Sequence, residues 1–198
     1  MSLQSVSARR RTSAKPDHGH VIVQNAAGIL WTILGMVVVT VMVWSIWGMF
    51  NRSIETSNVQ SIASAVKGNM KQQGKGYNFT SGTSMTGNMI QRGLAPGNMT
   101  IVGDKTSGSA TLWNTWNGQV VIAPVAINGY NGGFSITYNK VPQEDCIDMS
   151  QKLAPVFTSL TVNSSVHNGE VTGESAGKEC IKDSGGDGTN KLVFTYNG

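Results

Sequence analysis

Few residues in this 198-residue chain are of types that do chemistry, and their spacing narrows that chemistry further. There are two cysteines, Cys146 and Cys180, and they can form a disulfide, stay as free thiols or help hold a metal. A metal would need more ligands than these two and His167 supply. His167 itself is expected in a polar loop without a strand around it. Asp183-Ser184-Gly185-Gly186 has the look of a nucleophilic serine segment. Such a serine needs a histidine base and a carboxylate that orients it. With His167 the one histidine after residue 20, the segment reads as a glycine-rich turn. Asp183 and Asp187 lack the spacing of a calcium loop. His18-Gly19-His20 is an incidental pair near the start of the chain. No paired carboxylates, phosphate loop or zinc motif is visible. The reading is therefore of a protein that is not an enzyme and needs no cofactor and no metal.

The elements that carry these residues begin with an apolar run. Gly28–Phe50 (GILWTILGMVVVTVMVWSIWGMF) contains no charge. A helix needs about 20 apolar residues to cross a bilayer core, so residues 28–50 are expected to span a membrane. A helix also lets a single span satisfy its own backbone in lipid. Trp31, Trp44 and Trp47 sit near its ends, where interfacial aromatics belong. Ahead of the run lie Arg9, Arg10, Arg11 and Lys15 against Asp17. By the positive-inside rule this keeps the leader in the cytoplasm and exports the rest. From Asn51 onward eleven Lys/Arg face ten Asp/Glu, a net charge of +1. The pI near 9.2 therefore reflects the leader, and no nucleic-acid surface is expected. Ala26, Ala27 and Gly28 precede the greasy segment, the reverse of an ordinary signal peptide. Cleavage there would leave the helix on the mature protein. An exported domain meets an oxidising compartment, where Cys146 and Cys180 are expected to pair. Closing a loop of this length stabilises a fold by roughly 3–4 kcal/mol.

Beyond the run, Glu55, Val59, Ile62, Val66 and Met70 fall on one helical face. The helix is expected over residues 29–73, its second half partly buried against a domain. It stops at Gln72-Gln73-Gly74-Lys75-Gly76. A short helix is expected over Thr86–Gly93. Strands are expected at Gln119–Ile127, with Pro124 marking an edge or a break, at Gly133–Val141, and at Lys191–Tyr196. Gln143–Leu153 reads as a helix, with Pro142 at its start and acids in its first turn. A long helix followed by antiparallel strands makes the class α+β.

The order of these features resembles the type IV pilins, and its details resemble the type IVb branch. The residues that carry the likeness are Gly93-Leu94-Ala95-Pro96, WNTWNGQVVIAP at 113–124, GFSITYNKV at 133–141, Asp145-Cys146, Cys180 and the final LVFTY. They resemble the thin-pilus prepilins of conjugative plasmids and their enterobacterial relatives. The resemblance implies a leader over residues 1–28, removed by a prepilin peptidase between Gly28 and Ile29. It implies a membrane-spanning helix and an exported pilin domain over residues 74–198. The function implied is a structural subunit that polymerises through its hydrophobic helix into a surface filament for cell–cell contact, conjugation or adhesion. The alternative is a minor pilin, or a binding module anchored by one helix. The implied partners are further copies of the chain, the pilus assembly machinery and, before assembly, the inner membrane.

The chain departs from the family at one place. Family members normally carry glutamate at the fifth mature position, where it pairs with a neighbour's terminal amine. Cleavage after Gly28 puts Ile33 there, and no acid occurs between Asp17 and Glu55. Assembly is then expected to rest on close packing at Gly28, Gly35 and Gly48, and on the face carrying Val59, Ile62 and Val66.

Overall fold

The computed structural model describes residues 18–185 and 187–198; in the first helix, side chains are described for 28–43 and from 54 onward. The chain forms two compact units, Met1–Trp47 and Gly48–Gly198.

Helix α1 covers His18–Asn69. It starts eleven residues ahead of the expected position and stops four residues early. Its end is marked by Gly74 and Gly76, both in the left-handed region, which close the small turn Gln72–Gly76. In the second unit α1 is followed by α2 (Gly82–Gln91), β1 (Thr100–Val102), β2 (Thr111–Trp113), β3 (Gln119–Ile127) and β4 (Tyr130–Val141). Then come α3 (Gln143–Leu153), β5 (Ser159–Val162), β6 (Ser165–His167), α4 (Gly173–Glu179) and β7 (Asn190–Tyr196). α2 begins at Gly82 rather than Thr86, because Ser81 and Ser84 form a reciprocal cap there.

The strands form one antiparallel, seven-stranded sheet in the order β1-β2-β3-β4-β7-β5-β6. This is the expected α+β class, with β1, β2, β5, β6 and α4 added to the elements read from sequence. Pro124 lies inside β3 opposite Phe134. The reason it is tolerated is visible two residues earlier. The Ile122 amide donates to the Thr86 hydroxyl, and that hydroxyl donates back to the Ile122 carbonyl. Ile122 therefore points its backbone away from β4. Pro124, of the same parity, does likewise, so its missing N–H costs no ladder bond.

β3 and β4 meet through Asn128-Gly129, both at positive φ, with Ile127 paired to Tyr130. This is the two-residue hairpin that Asn-Gly favours. At the other end of β3, a Cβ on Gly118 would sit 1.8 Å from the Asn139 carbonyl oxygen, so only glycine fits there.

The core lies between the sheet and α1, α2 and α3. Phe134, Ile136 and Tyr138, the alternating face of β4, are buried together with Leu192 and Phe194 of β7. Cys146 in α3 and Cys180 at the end of α4 form a disulfide, Cα atoms 5.9 Å apart. It joins two helices whose intervening segment includes the β5–β6 hairpin.

Candidate assembly site

The expected self-association puts the functional residues on α1, and its two described parts differ completely. From Gly28 to Val43 every side chain is exposed, Trp31 at 73% and Met36 at 74%. Apolar residues occupy all sides of the helix, not one stripe. The two hydroxyls in the stretch return to their own backbone. Thr32 donates to the Ile29 carbonyl at 2.8 Å, and Thr40 to Met36 at 2.6 Å and to Val37 at 3.0 Å. They therefore need no outside partner in apolar surroundings. Among the described residues no helix is long and apolar enough to cross a membrane. The described side chains end at Val43, and residues 44–50 of the expected span lie outside them.

Gly28 and Ile29, the expected processing site, lie within α1, both exposed. Gly35 is exposed as well, and a Cβ there would meet nothing within 4 Å. Gly48 is helical and begins the second unit, while its surroundings lie outside the described residues.

From Glu55 onward the same helix has a buried stripe. Glu55, Val59, Ile62 and Val66 are 0% exposed and Met70 is 2% exposed. This corrects one expectation. The face bearing Val59, Ile62 and Val66 is packed inside the subunit's own core, so it is not available to a neighbouring helix. The reason is that α2 and the sheet offer Met85, Met89, Ile122 and Phe134 as apolar partners within the same cluster.

Glu55 anchors this stripe and was not recognisable as an anchor from its spacing. Its carboxylate accepts the Thr115 amide at 2.7 Å and the Asn58 side chain at 3.1 Å. Its charge also acts on the buried Tyr138 phenol, whose hydroxyl donates to the Met99 sulfur at 4.0 Å. Burial, then the charge of Glu55, hold the Tyr138 phenol well above its ordinary pKa. One carboxylate thus ties α1 to the β2–β3 turn. Three asparagines act similarly. Asn190 is bonded to Val141, to Ile181 and to Asn163. Asn114 closes the β2–β3 turn through the amides of Trp116 and Gly118.

His167 lies in β6, not in a strandless loop. Its Nε2 is 2.6 Å from a Glu179 carboxylate oxygen, and the other oxygen accepts the Ser175 hydroxyl at 2.9 Å. The carboxylate stands between serine and histidine, so the hydroxyl donates to the carboxylate and does not reach the imidazole that a nucleophilic serine needs as its base. Asp183 accepts the Gln143 amide, and Ser184 sits in a turn with Asp187. These contacts describe a structural tie. Among the described residues no group of acidic, histidine or cysteine side chains could hold a metal ion.

A family described as PilS N terminal matches residues 50–197, about three quarters of the chain. The chain belongs to the PilS family of type IVb pilins. It is similar to the type IVb pilin of Salmonella typhi in crystal form, at 46% identity and a TM-score of 0.64. That match covers 74% of this chain and 99% of the other. It is similar also to the PilS type IVb pilin of Salmonella typhi solved by NMR, at 44% identity and a TM-score of 0.52, covering 74% and 96%. Comparison with curated proteins gives no match. Pilins are structural proteins and not enzymes, and the Ser175–Glu179–His167 contacts of this type IVb pilin are a structural tie.

Proposed function

We propose that this pilin is a structural subunit of a type IVb pilus, polymerising through its hydrophobic N-terminal helix into a surface filament for cell–cell contact, conjugation or adhesion. The observation that supports it is the helix from Gly28 to Val43, apolar on every side and exposed in the isolated subunit. Such a surface calls for an apolar cover. Lipid would supply it before assembly, with residues 28–50 spanning the inner membrane, and neighbouring helices afterwards. Processing between Gly28 and Ile29 by a prepilin peptidase would leave that helix at the mature N-terminus, where the assembly machinery can add it to a growing filament.

The second reading, a minor subunit or a membrane-anchored binding module, draws on the absence of any acid between Asp17 and Glu55. Shearing cells and sequencing the N-terminus of the released protein separates the two. A major subunit is recovered from the filament fraction, beginning at Ile29. Recovery only as a trace beside another pilin supports the minor role. A mature start beyond Phe50 would sink both.

A further inference from the structure

All five tryptophans of the chain fall in two places. Trp31, Trp44 and Trp47 lie toward the ends of the apolar run, and Trp113 and Trp116 lie in β2 and in the turn that joins it to β3. Between Lys105 and Lys140 the chain carries no charged residue. The fold sets the β2–β3 turn beside the part of α1 that follows the apolar run. The Thr115 amide donates to the Glu55 carboxylate at 2.7 Å. Glu55 lies five residues beyond Phe50, roughly 8 Å along a helix. A second contact fixes the direction of the sheet. Just past the end of α1, the Tyr77 amide donates to the Asn131 carbonyl at 2.7 Å, beside the β3–β4 hairpin. β3 therefore runs away from Phe50 in the same sense as α1, and the β2–β3 turn is the end of that strand pair nearest to Phe50.

This turn is built for surroundings poor in water. Each of its five amides has an acceptor inside the domain. Asn114 donates to the Gly118 carbonyl at 2.9 Å, and Asn117 to the Asn114 carbonyl at 3.2 Å. Trp116 and Gly118 donate to the Asn114 side-chain oxygen at 3.1 and 2.7 Å, and Thr115 donates to Glu55. No backbone donor is left to lose water at an apolar boundary. Trp116 is half-buried, between the exposed Thr115 and Asn117. The Trp113 indole N–H donates to the Thr111 hydroxyl at 2.9 Å. That of Trp116 has no acceptor among the described residues. An apolar ring with a free N–H suits the boundary between acyl chains and headgroups.

We infer that the turn at residues 114–118 seats in the headgroup layer of the bilayer that the apolar helix spans, with Trp116 as the side chain that enters it. The polar zone on each side of the hydrocarbon core is roughly 5–7 Å deep, so a turn about 8 Å beyond Phe50 borders it. The turn is uncharged, so neutral lipid is a sufficient partner. The contact gives the exported domain a second hold on the membrane and fixes its orientation about the helix until the subunit leaves the bilayer. This rests on the membrane-spanning reading above and adds to it a surface of the domain itself.

The test uses the full chain in phosphatidylcholine vesicles. The emission of Trp116 is the difference between the unaltered chain and Trp116→Phe. Lipids brominated just below the headgroup should remove most of that difference, and aqueous iodide little of it. Should Trp116→Phe not fold, Trp116→Tyr gives the same difference, since tyrosine also suits the interface. Quenching mainly by iodide overturns the inference, because the indole then faces water. Protection from both quenchers also overturns it, because protein, such as a second copy, then covers the indole. The emission remaining in the variant reports Trp31, Trp44 and Trp47 as well. If lipid bromine quenches that remainder, the helix is in the bilayer and only this inference falls. If lipid bromine leaves it untouched, the membrane-spanning reading falls and this inference with it.

Discussion

Two stretches of one helix, Gly28–Val43 and Glu55–Met70, obey different rules. The first is apolar on every side and wholly exposed. The second buries one stripe and leaves Gln60, Ser61 and Ser64 in solvent. A stripe identifies a helix that packs on its own domain, because the opposite side must face water. Apolarity all round identifies a helix whose whole environment is apolar, and the subunit alone does not provide one. On the function proposed above, anchoring in the domain and association with neighbours fall on separate lengths of the same element.

The sharpest way to break this comparison is to shave the same kind of atoms from both stretches. Ile62→Ala should cost the domain about 2–5 kcal/mol, the range for truncating a buried aliphatic side chain. Val37→Ala should change domain stability by less than about 0.5 kcal/mol. Denaturant unfolding of the detergent-solubilised chain, followed by tyrosine environment in the domain, reads both. Equal effects would mean that the exposed stretch also supports the domain.

Next in size is the disulfide. Cys146→Ser should destabilise the domain by roughly 3–4 kcal/mol in the chain-entropy picture. The loss should be local, with protection from hydrogen exchange falling first across β6 and α4 and last in the Glu55–Met70 stripe. Uniform loss of protection would show that the two regions fold as a single cooperative block.

The anchor at Glu55 comes third. Glu55→Ala leaves the Thr115 amide and the Asn58 side chain without their acceptor, worth about 1.5–3 kcal/mol for bonds to a charged group. Tyr138 adds a pH signature. Its folded-state pKa is raised above 10.0, so its contribution to stability is complete below pH 10.0 and is lost as pH rises through the folded value. Tyr77 is shifted the same way, by burial and then by Tyr196. Thermal unfolding should therefore fall off above about pH 10, and Tyr138→Phe should flatten that decline. A steeper decline in the variant would refute this account of the buried phenol.

The smallest effect on folding is expected at Gly35. A Cβ there meets nothing within 4 Å, so Gly35→Leu should leave domain stability and membrane insertion unchanged. It should nevertheless reduce filaments, since close helix approach favours small residues. Wild-type filament yield from Gly35→Leu would remove Gly35 from the packing surface.

Much of this was legible in local pattern. The α1 stripe and the inward face of β4 followed from periodicity, because spacing of 3.6 or 2 is imposed by one buried side; β3 at Gln119–Ile127 followed from its apolar run, and α3 at Gln143–Leu153 from Pro142 at its start and the acids in its first turn. The Asn128-Gly129 hairpin carried a readable turn signal that the apolar pattern overshadowed. The three-residue strands β1, β2 and β6 had no such pattern, since strands so short are set by the neighbour they pair with.

The amino-acid sequence by itself determined that α1 would have an uncharged outward stretch and a striped one, that acids would be absent between Asp17 and Glu55, and that two cysteines would be available to each other. Those are properties of composition and spacing along one chain. Only the tertiary structure decided that β7 enters between β4 and β5, that Glu55 binds Thr115 sixty residues away, and that His167 meets Glu179. It also decided that Val59, Ile62 and Val66 are enclosed by their own domain. The physical reason is that periodicity shows which face of an element must be covered. What covers it depends on which distant segments pack there, and that is settled only when the whole chain has folded.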